Sequence, residues 1–478
     1  MTIVKAFPGR VRLGAGIGGA MVLLSWLLGG GWYGAFLGLL LSGVATAALI
    51  VCALLREIKD RLPELNFGLC PGTTKGNPDT PGLSNWLATV IEWAAGRISD
   101  RKALPPDGPL TFGDLRRGGP TEDDAGPSID LRMMTTNLSM RRPNALPQLD
   151  DRNYLFKQEE FKEVFPAWVV NWMITNGGCT EHPDLKGYYR FPEPDKLPVV
   201  VAARMSLSFP FLISAVPLYR RDFPDAGQGE PPLWRLLFSD GGLSSNFPIH
   251  FFDSMLPNRP TFGISLDDYN ERQPERRVHL PMPANDGRWL DSRDITSIPG
   301  FLMALLDAAK DWQDRLQTGL PGYRERVVHV YLKPDEGGLN LNMPPEIISQ
   351  LSDLGERAGA LLAGSGPPKS PDDTHPFDFD DHRWRRFLTT YAAIEQALEI
   401  AGKSWGSTEQ EGSFANFIKT YMKDPRSYNK TSHEWRTEMF NRVDGLMRLT
   451  FSWGVNPLRH EKKAIPKAKA RLTIAPES

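Results

Sequence analysis

The sequence predicts a mixed α/β body preceded by a hairpin of two membrane-crossing helices, and three observations predict it. From Leu13 to Leu55 no residue carries a charge. Beyond Arg61, short apolar runs bounded by turn residues recur as buried strands should. Amphipathic patterns lie between several of them, which implies a sheet with helices on both faces.

The charge-free run is 43 residues long, roughly twice the ~20 needed to cross a bilayer core. Gly29-Gly30-Gly31, followed by Trp32 and Tyr33, falls near its middle, where a tight turn and interfacial aromatics are wanted. Lys5, Arg10 and Arg12 precede the run and Arg56, Lys59 and Arg61 follow it, so the positive-inside tendency puts both flanks, and the body, in the cytoplasm. A cleaved signal peptide does not fit, because its apolar part spans only about 7 to 15 residues. Two glycine motifs inside the run mislead. Gly14 to Gly19 spells G-x-G-x-x-G, but no strand precedes it and no acidic residue follows at dinucleotide-fold spacing, so small residues packing helices explain it better. Gly29 to Gly38 has the look of a glycine-rich oxyanion loop with Ser42 downstream, yet no strand-turn-helix elbow surrounds that serine.

The strand expectations are Ile129 to Leu138, Leu197 to Ala203, Leu233 to Phe238, Pro260 to Leu266 and Arg326 to Leu332. Ser84 to Ser99 predicts a helix with Trp86, Leu87, Val90, Ile91 and Ala94 on one face, and Phe161 to Ile174 a second. Segments rich in Pro, Gly and Asp at 71–81, 104–127 and 365–381 read as loops or linkers, and Arg383 to Ala401 is the most periodic helix of the C-terminal part. The domain organisation is therefore a membrane hairpin at 1–60, an α/β domain at 61–335 and a mainly helical region at 336–478.

Composition narrows the partners. The chain has 478 residues, 41% hydrophobic and 23% charged, with a formal net charge of -2. That balance removes a broad electrostatic case for nucleic acid, leaving only His460 to Arg471 locally basic. Cys52, Cys70 and Cys179 are odd in number and far apart, so neither a disulfide framework nor a zinc site is expected. No cofactor or metal is expected.

Chemistry concentrates in "LWRLLFSDGGLSSNFPIHFFD", Leu233 to Asp253. A strand ending at Phe238 delivers Ser239 and Asp240 to the carboxyl end of the sheet, where open α/β folds put their sites, and Gly241-Gly242 lets the backbone turn sharply beside the carboxylate. "AARMSLSFPFLISAVPLY", Ala202 to Tyr219, followed by "FSDGGLSSNFPIHFFD" resembles the second half of a patatin-like phospholipase. The carriers are an alanine-arginine helix start, a D-G-G motif on the next strand and an asparagine and proline just after it. The resemblance covers roughly residues 129–266, under a third of the chain. It implies a Ser-Asp dyad without histidine, in which Asp240 is the base that accepts the serine proton and Gly241 and Gly242 shape the turn.

A serine partner in the family's G-x-S-x-G is not found before Asp240. The one match is Gly402-Lys403-Ser404-Trp405-Gly406, which lies after Asp240 and ends a helix, with Gly402 reading as its C-cap rather than as an elbow entry. Ser265 in "GISLD" fails by its last residue. His250 reads as a capping or core residue, and "DDTHPFDFDDH", Asp372 to His382, as an acidic loop leading into a helix N-terminus rather than a metal site. The chain thus looks like the aspartate-bearing part of the family, with the nucleophile supplied by another segment or chain. One expectation is a membrane-anchored lipid acyl hydrolase acting on membrane lipids. The other is a membrane-anchored patatin-like binding or scaffold protein without turnover.

Overall fold

The computed structural model describes residues 31–74, 80–117, 128–149, 153–221, 232–281, 322–363 and 377–458, apart from a few positions inside these ranges, and scattered positions at 16–27 and 295–308. The first arm of the expected hairpin, most of Gly14 to Gly19, Asn246, the loop at 365–376 and the basic tail lie outside the described residues. The chain divides into two compact units, Met1–Ser244 and Ser245–Ser478.

The first unit opens with α1 (Gly31–Glu64), one uninterrupted helix of 34 residues. This corrects the expected transmembrane hairpin and, with it, the multi-pass, cytoplasm-facing placement. Among the described residues no helix is long and apolar enough to cross a membrane. Absence of charge is a weaker property than apolarity. The helix also continues into the charged stretch Arg56 to Glu64. Trp32 and Tyr33 lie in the first turn of this helix.

After α1 come β1 (Gly68–Cys70), α2 (Leu83–Ala94), α3 (Phe112–Arg117), β2 (Met133–Asn137), β3 (Arg142–Leu146), β4 (Leu155–Lys157), α4 (Gln158–Val164) and α5 (Ala167–Thr175). There follow β5 (Glu181–His182), β6 (Leu185–Arg190), α6 (Val199–Ser206), β7 (Phe211–Ile213), β8 (Val216–Arg221) and β9 (Leu233–Asp240). Seven strands form one sheet in the order β3-β2-β9-β8-β4-β6-β5. Every pairing in it is antiparallel, so apolar runs in it that look like parallel core strands are here antiparallel strands packed on a large aromatic and aliphatic core. That core contains Phe156, Phe161, Phe165, Met173, Val216, Leu218 and Phe238, and each such side chain contributes about 1.5–3 kcal/mol on burial.

Leu197 to Ala203, expected as a strand, forms most of helix α6. Val199, Val200, Val201 and Ala202 are all buried, and a helix apolar on every side has the same pattern as a buried strand. Pro198 sits at its N-cap, so the chain turns into the helix where the ring tolerates the missing amide. Helix α2 packs Leu87 and Ile91 of the expected face against the core, but its most buried residues are others. Ser84, Ala88 and Glu92 point inward, while Trp86 and Trp93 remain about half exposed. Glu92 is held there by two partners. Its carboxylate accepts from the Leu110 amide at 2.6 Å and from Arg97 at 2.9 Å. Burial nonetheless raises its pKa above the ordinary range, against the pull of those partners. The expected helix over Phe161 to Ile174 is two helices, α4 and α5, because Pro166 interrupts the hydrogen-bond ladder between them.

The second unit holds β10 (Gly263–Asp268), β11 (Val278–His279) and β12 (Val327–Leu332), followed by α7 (Pro345–Ala363), α8 (Phe379–Trp405), α9 (Phe414–Tyr421) and α10 (His433–Val455). The sheet order is β10-β12-β11, with β10 parallel and β11 antiparallel to β12. Leu354, Ala358 and Leu361 of α7 pack with Val278, Val328 and Val330. Trp405, Ala415 and Phe440 join α8, α9 and α10 in a separate small core.

Candidate functional site

Asp240 is the last residue of β9 and the N-cap of a short 3₁₀ turn, Gly241–Leu243. Its carboxylate oxygen Oδ1 accepts a hydrogen bond from the Gly242 amide at 2.7 Å, the cap that an aspartate at this position supplies. The side chain is half-buried. The Asp240 amide donates to the Ser208 carbonyl at 3.0 Å, and its own carbonyl accepts from Thr136 Oγ1 at 2.8 Å. The neighbouring carbonyl, that of Ser239, accepts from Thr135 Oγ1 at 2.8 Å. Two threonine hydroxyls of β2 thus clamp the strand end in register, Thr135 lying opposite Asp240.

Gly241 is required by space. A Cβ there would come within 2.2 Å of the Met134 carbonyl oxygen, and that backbone cannot yield. Gly242 supplies the capping amide. The backbone thus turns sharply beside the Asp240 carboxylate.

What the sequence did not reveal is the support beneath. Arg204, near the end of α6, is fully buried. It donates to Ser208 Oγ at 2.6 Å, to the Pro71 carbonyl at 3.1 Å and to the Ser214 carbonyl at 3.0 Å, while its Nε has no hydrogen-bond partner. Burial lowers its pKa to about 10, so the guanidinium stays charged at neutral pH. Ser208 Oγ donates back to the Arg204 carbonyl at 2.8 Å. The Ser208 carbonyl then accepts from Ser239 Oγ at 2.8 Å as well as from the Asp240 amide. The signal was present in the sequence: a lone cation inside the apolar run "VVVAARM" has to be solvated by something.

The serines flanking Asp240 have other engagements. Ser239 is buried with its hydroxyl on the Ser208 carbonyl, and Ser244 Oγ lies 3.2 Å from the Gly241 carbonyl and 2.9 Å from Thr136 Oγ1. Ser84 is another serine close to Arg204 by way of Gly72, but it is wholly buried at the start of α2. A cavity of about 470 Å³ in this unit is lined by Arg97, Asp107, Asp114, Trp172 and Lys196 and does not include Asp240.

In the second unit Ser404 is exposed in the last turn of α8, and no strand delivers it. The C-cap is Gly406, at φ 66°, not Gly402 as expected. Gly402 is small for another reason: a Cβ there would meet Thr450 Oγ1 at 2.5 Å, where α10 crosses α8. Ser265 donates to Asp267 at 3.2 Å, and Asp267 also contacts His329 Nδ1 at 2.5 Å. His250 lies on a 3₁₀ turn, exposed, against Phe251. The described end of the acidic stretch does lead into a helix: Asp378 caps α8 by accepting from the Asp380 and Asp381 amides at 3.0 Å each. Among the described residues no group of three or more His, Cys, Asp or Glu is placed to hold a metal ion.

Fold and site together define a mixed α/β protein with a capped aspartate at a strand end. The chain is 31% identical over 494 aligned residues to the RpoH suppressor of Rhizobium meliloti (strain 1021), a match covering 91% of this chain and 73% of the relative. It belongs to that protein's family. A second relative, the uncharacterized protein YqhO of Bacillus subtilis (strain 168), is 32% identical over 105 residues, 22% of this chain and 32% of its own. No family model and no solved structure matches the chain. Neither relative's name speaks of acyl hydrolysis.

Proposed function

We propose that this chain is the aspartate-bearing part of a patatin-like lipid acyl hydrolase, with a serine nucleophile supplied by another segment or chain. The observation that carries the reading is the half-exposed Asp240 carboxylate, fixed at a strand end by the Gly242 amide and backed by Ser208. In the reaction a serine hydroxyl attacks the acyl carbonyl of a lipid ester, Asp240 takes its proton, and backbone amides hold the oxyanion. The committed hydroxyls of Ser239 and Ser244 favour a second reading, a patatin-like protein that binds lipid or protein without turnover.

The test is hydrolysis of a lipid ester by the chain and by Asp240→Asn, each in the presence of its nucleophile-bearing partner. Asparagine keeps the shape but cannot accept the proton, and loss of a general base costs about 10² to 10⁴ in rate. Turnover that Asp240→Asn leaves unchanged removes Asp240 from the chemistry. Lipid retention with no turnover by either chain selects the second reading.

A further inference from the structure

Helix α10 has two apolar faces, and α8 takes only one of them. Phe440, Val443 and Met447 pack in the small core with Trp405, and Thr450 lies against Gly402. A second set, Trp435, Met439, Arg442, Leu446, Leu449 and Trp453, follows in alternating steps of four and three residues. That is the heptad spacing of a helix seam, in which a and d positions meet a partner. Here the seam faces outward: Trp435 is 56% exposed, Met439 39%, Leu446 45% and Leu449 51%.

The apolar face continues onto α8. Trp453 meets the Tyr391 ring at 6.4 Å, Tyr391 meets Phe387 at 6.4 Å, and Phe387 stacks on Trp384 at 5.8 Å. Trp384 and Phe387 are themselves about half exposed. Their rings and that of Trp435 offer about 300 Å². Met439, Leu446 and Leu449 take the face past the few hundred Å² that a monomer usually leaves bare, towards the roughly 800 Å² that each partner of a stable complex buries.

Charge decides the occupant. Along α10, Glu434, Glu438 and Asp444 balance Arg436, Arg442 and Arg448, whereas a helix lying on a lipid surface carries an excess of Lys and Arg on its polar face. We propose that a second copy of this chain docks here, two α8–α10 pairs closing into a four-helix bundle about a two-fold axis beside Asp444, with the α10 helices antiparallel. That axis sets a positions opposite d positions. Met439 faces the partner's Leu449, Leu446 the partner's Arg442, and Trp453 the partner's Trp435. A parallel pair would instead set Arg442 against the partner's Arg442, and like charges facing across a seam repel. Arg442 pairs with Glu438 at 2.8 Å, so its charge stays at the rim while its stem covers apolar surface. Gly445 lies beside the axis with nothing within 4 Å of its would-be Cβ, which leaves room for the second helix to approach. This inference concerns assembly and stands whether or not Asp240 is catalytic.

Sedimentation of the full chain over a dilution series reads the association, with circular dichroism checking the fold of each variant. The chain should be a dimer at micromolar concentration. Met439→Glu and Leu449→Lys should each weaken it at least about tenfold, since each buries a charge without a partner. Mixed in equal amounts, the two variants should recover dimer, because their new charges then face each other across the seam. Should either fail to fold, Leu446 reads the same register: Leu446→Lys, opposite the partner's Arg442, should weaken the dimer at least about tenfold more than Leu446→Glu. Ile264→Lys, an exposed site on β10, should change nothing. The proposal is overturned if the chain is monomeric, if association ignores these charges in folded protein, or if the mixture does not re-associate. Variants that leave the mass unchanged but release the chain from phosphatidylserine vesicles make lipid the occupant and overturn it too. So do variants that lower the melting temperature of the dilute monomer, since the chain then covers this face itself.

Discussion

The amide of Asp240 donates to the carbonyl of Ser208 at 3.0 Å, which joins the strand end carrying the candidate carboxylate to the loop just past α6. Ser208 is in turn held by Arg204, so one buried guanidinium fixes three backbone segments: the turn after β1, the end of α6 and the entry to β8. Replacing Arg204 with Met removes those donors while keeping most of the apolar stem. Hydrogen bonds to charged groups are worth about 1.5–3 kcal/mol each, partly offset by relieving a buried cation, so a net loss of about 2–4 kcal/mol is expected. Urea unfolding measures it. A change below about 0.5 kcal/mol, the range of an ordinary surface substitution, contradicts the keystone role.

Asp240 has a structural duty separable from any chemical one. Asp240→Ala deletes the cap on Gly242 and should cost about 1 kcal/mol, whereas Asp240→Asn retains an acceptor and should cost only a few tenths. Thermal unfolding of the two variants checks this. Equal losses mean that the carboxylate charge, rather than the cap, is what the fold uses.

How far the sequence could be read depended on how local each signal was. The strand expected to end at Phe238, which runs on to Asp240, the glycine turn after it and the acidic lead into α8, which starts at Phe379 rather than Arg383, are set by a few adjacent residues and were legible to within a few positions. The α6 helix was not, because Val199 to Ala202 are buried all round and leave no polar stripe to betray a period of 3.6. Helix α2 was read with Leu87 and Ile91 inward, as they are, but the burial of Glu92 was missed because its partners Leu110 and Arg97 are brought near only by the fold. The hairpin expectation is overturned by the finding that, among the described residues, no helix is long and apolar enough to cross a membrane. Arg204 was visible as an oddity, but its partners lie at Pro71 and Ser214, far apart in the chain.

The glycines make opposite predictions. Gly241→Ala should be destabilising by about 1–3 kcal/mol, since a Cβ 2.2 Å from the Met134 carbonyl forces β2 and the turn apart. Gly355 lies inside α7 with nothing within 4 Å of its would-be Cβ, so Gly355→Ala should add roughly 0.5–1 kcal/mol by helix propensity alone. Denaturant midpoints decide both. A neutral Gly241→Ala would mean that the strand end is looser than the close approach implies.

Glu325 and His382 form a buried pair, Oε1 to Nδ1 at 3.1 Å, with side chains 2% and 1% exposed. Burial pushes the Glu325 carboxyl up, but the hydrogen bond and charge of His382, together with its own backbone amide, outweigh it and hold the group below its ordinary 4.5. A carboxylate depressed in the folded state stabilises most above its unfolded pKa, and that contribution is lost as pH falls through the folded value. Stability of the second unit should therefore hold from neutral pH to about 4.5 on this account and decline below it. Glu325→Gln removes that component, so its stability should fall less steeply below pH 4.5. It should start lower at neutral pH, by about 3 kcal/mol, because His382 is left buried beside a weaker acceptor. Urea midpoints for both proteins across this pH range check the sign. Parallel acid limbs would show that Glu325 takes no part in the acid response.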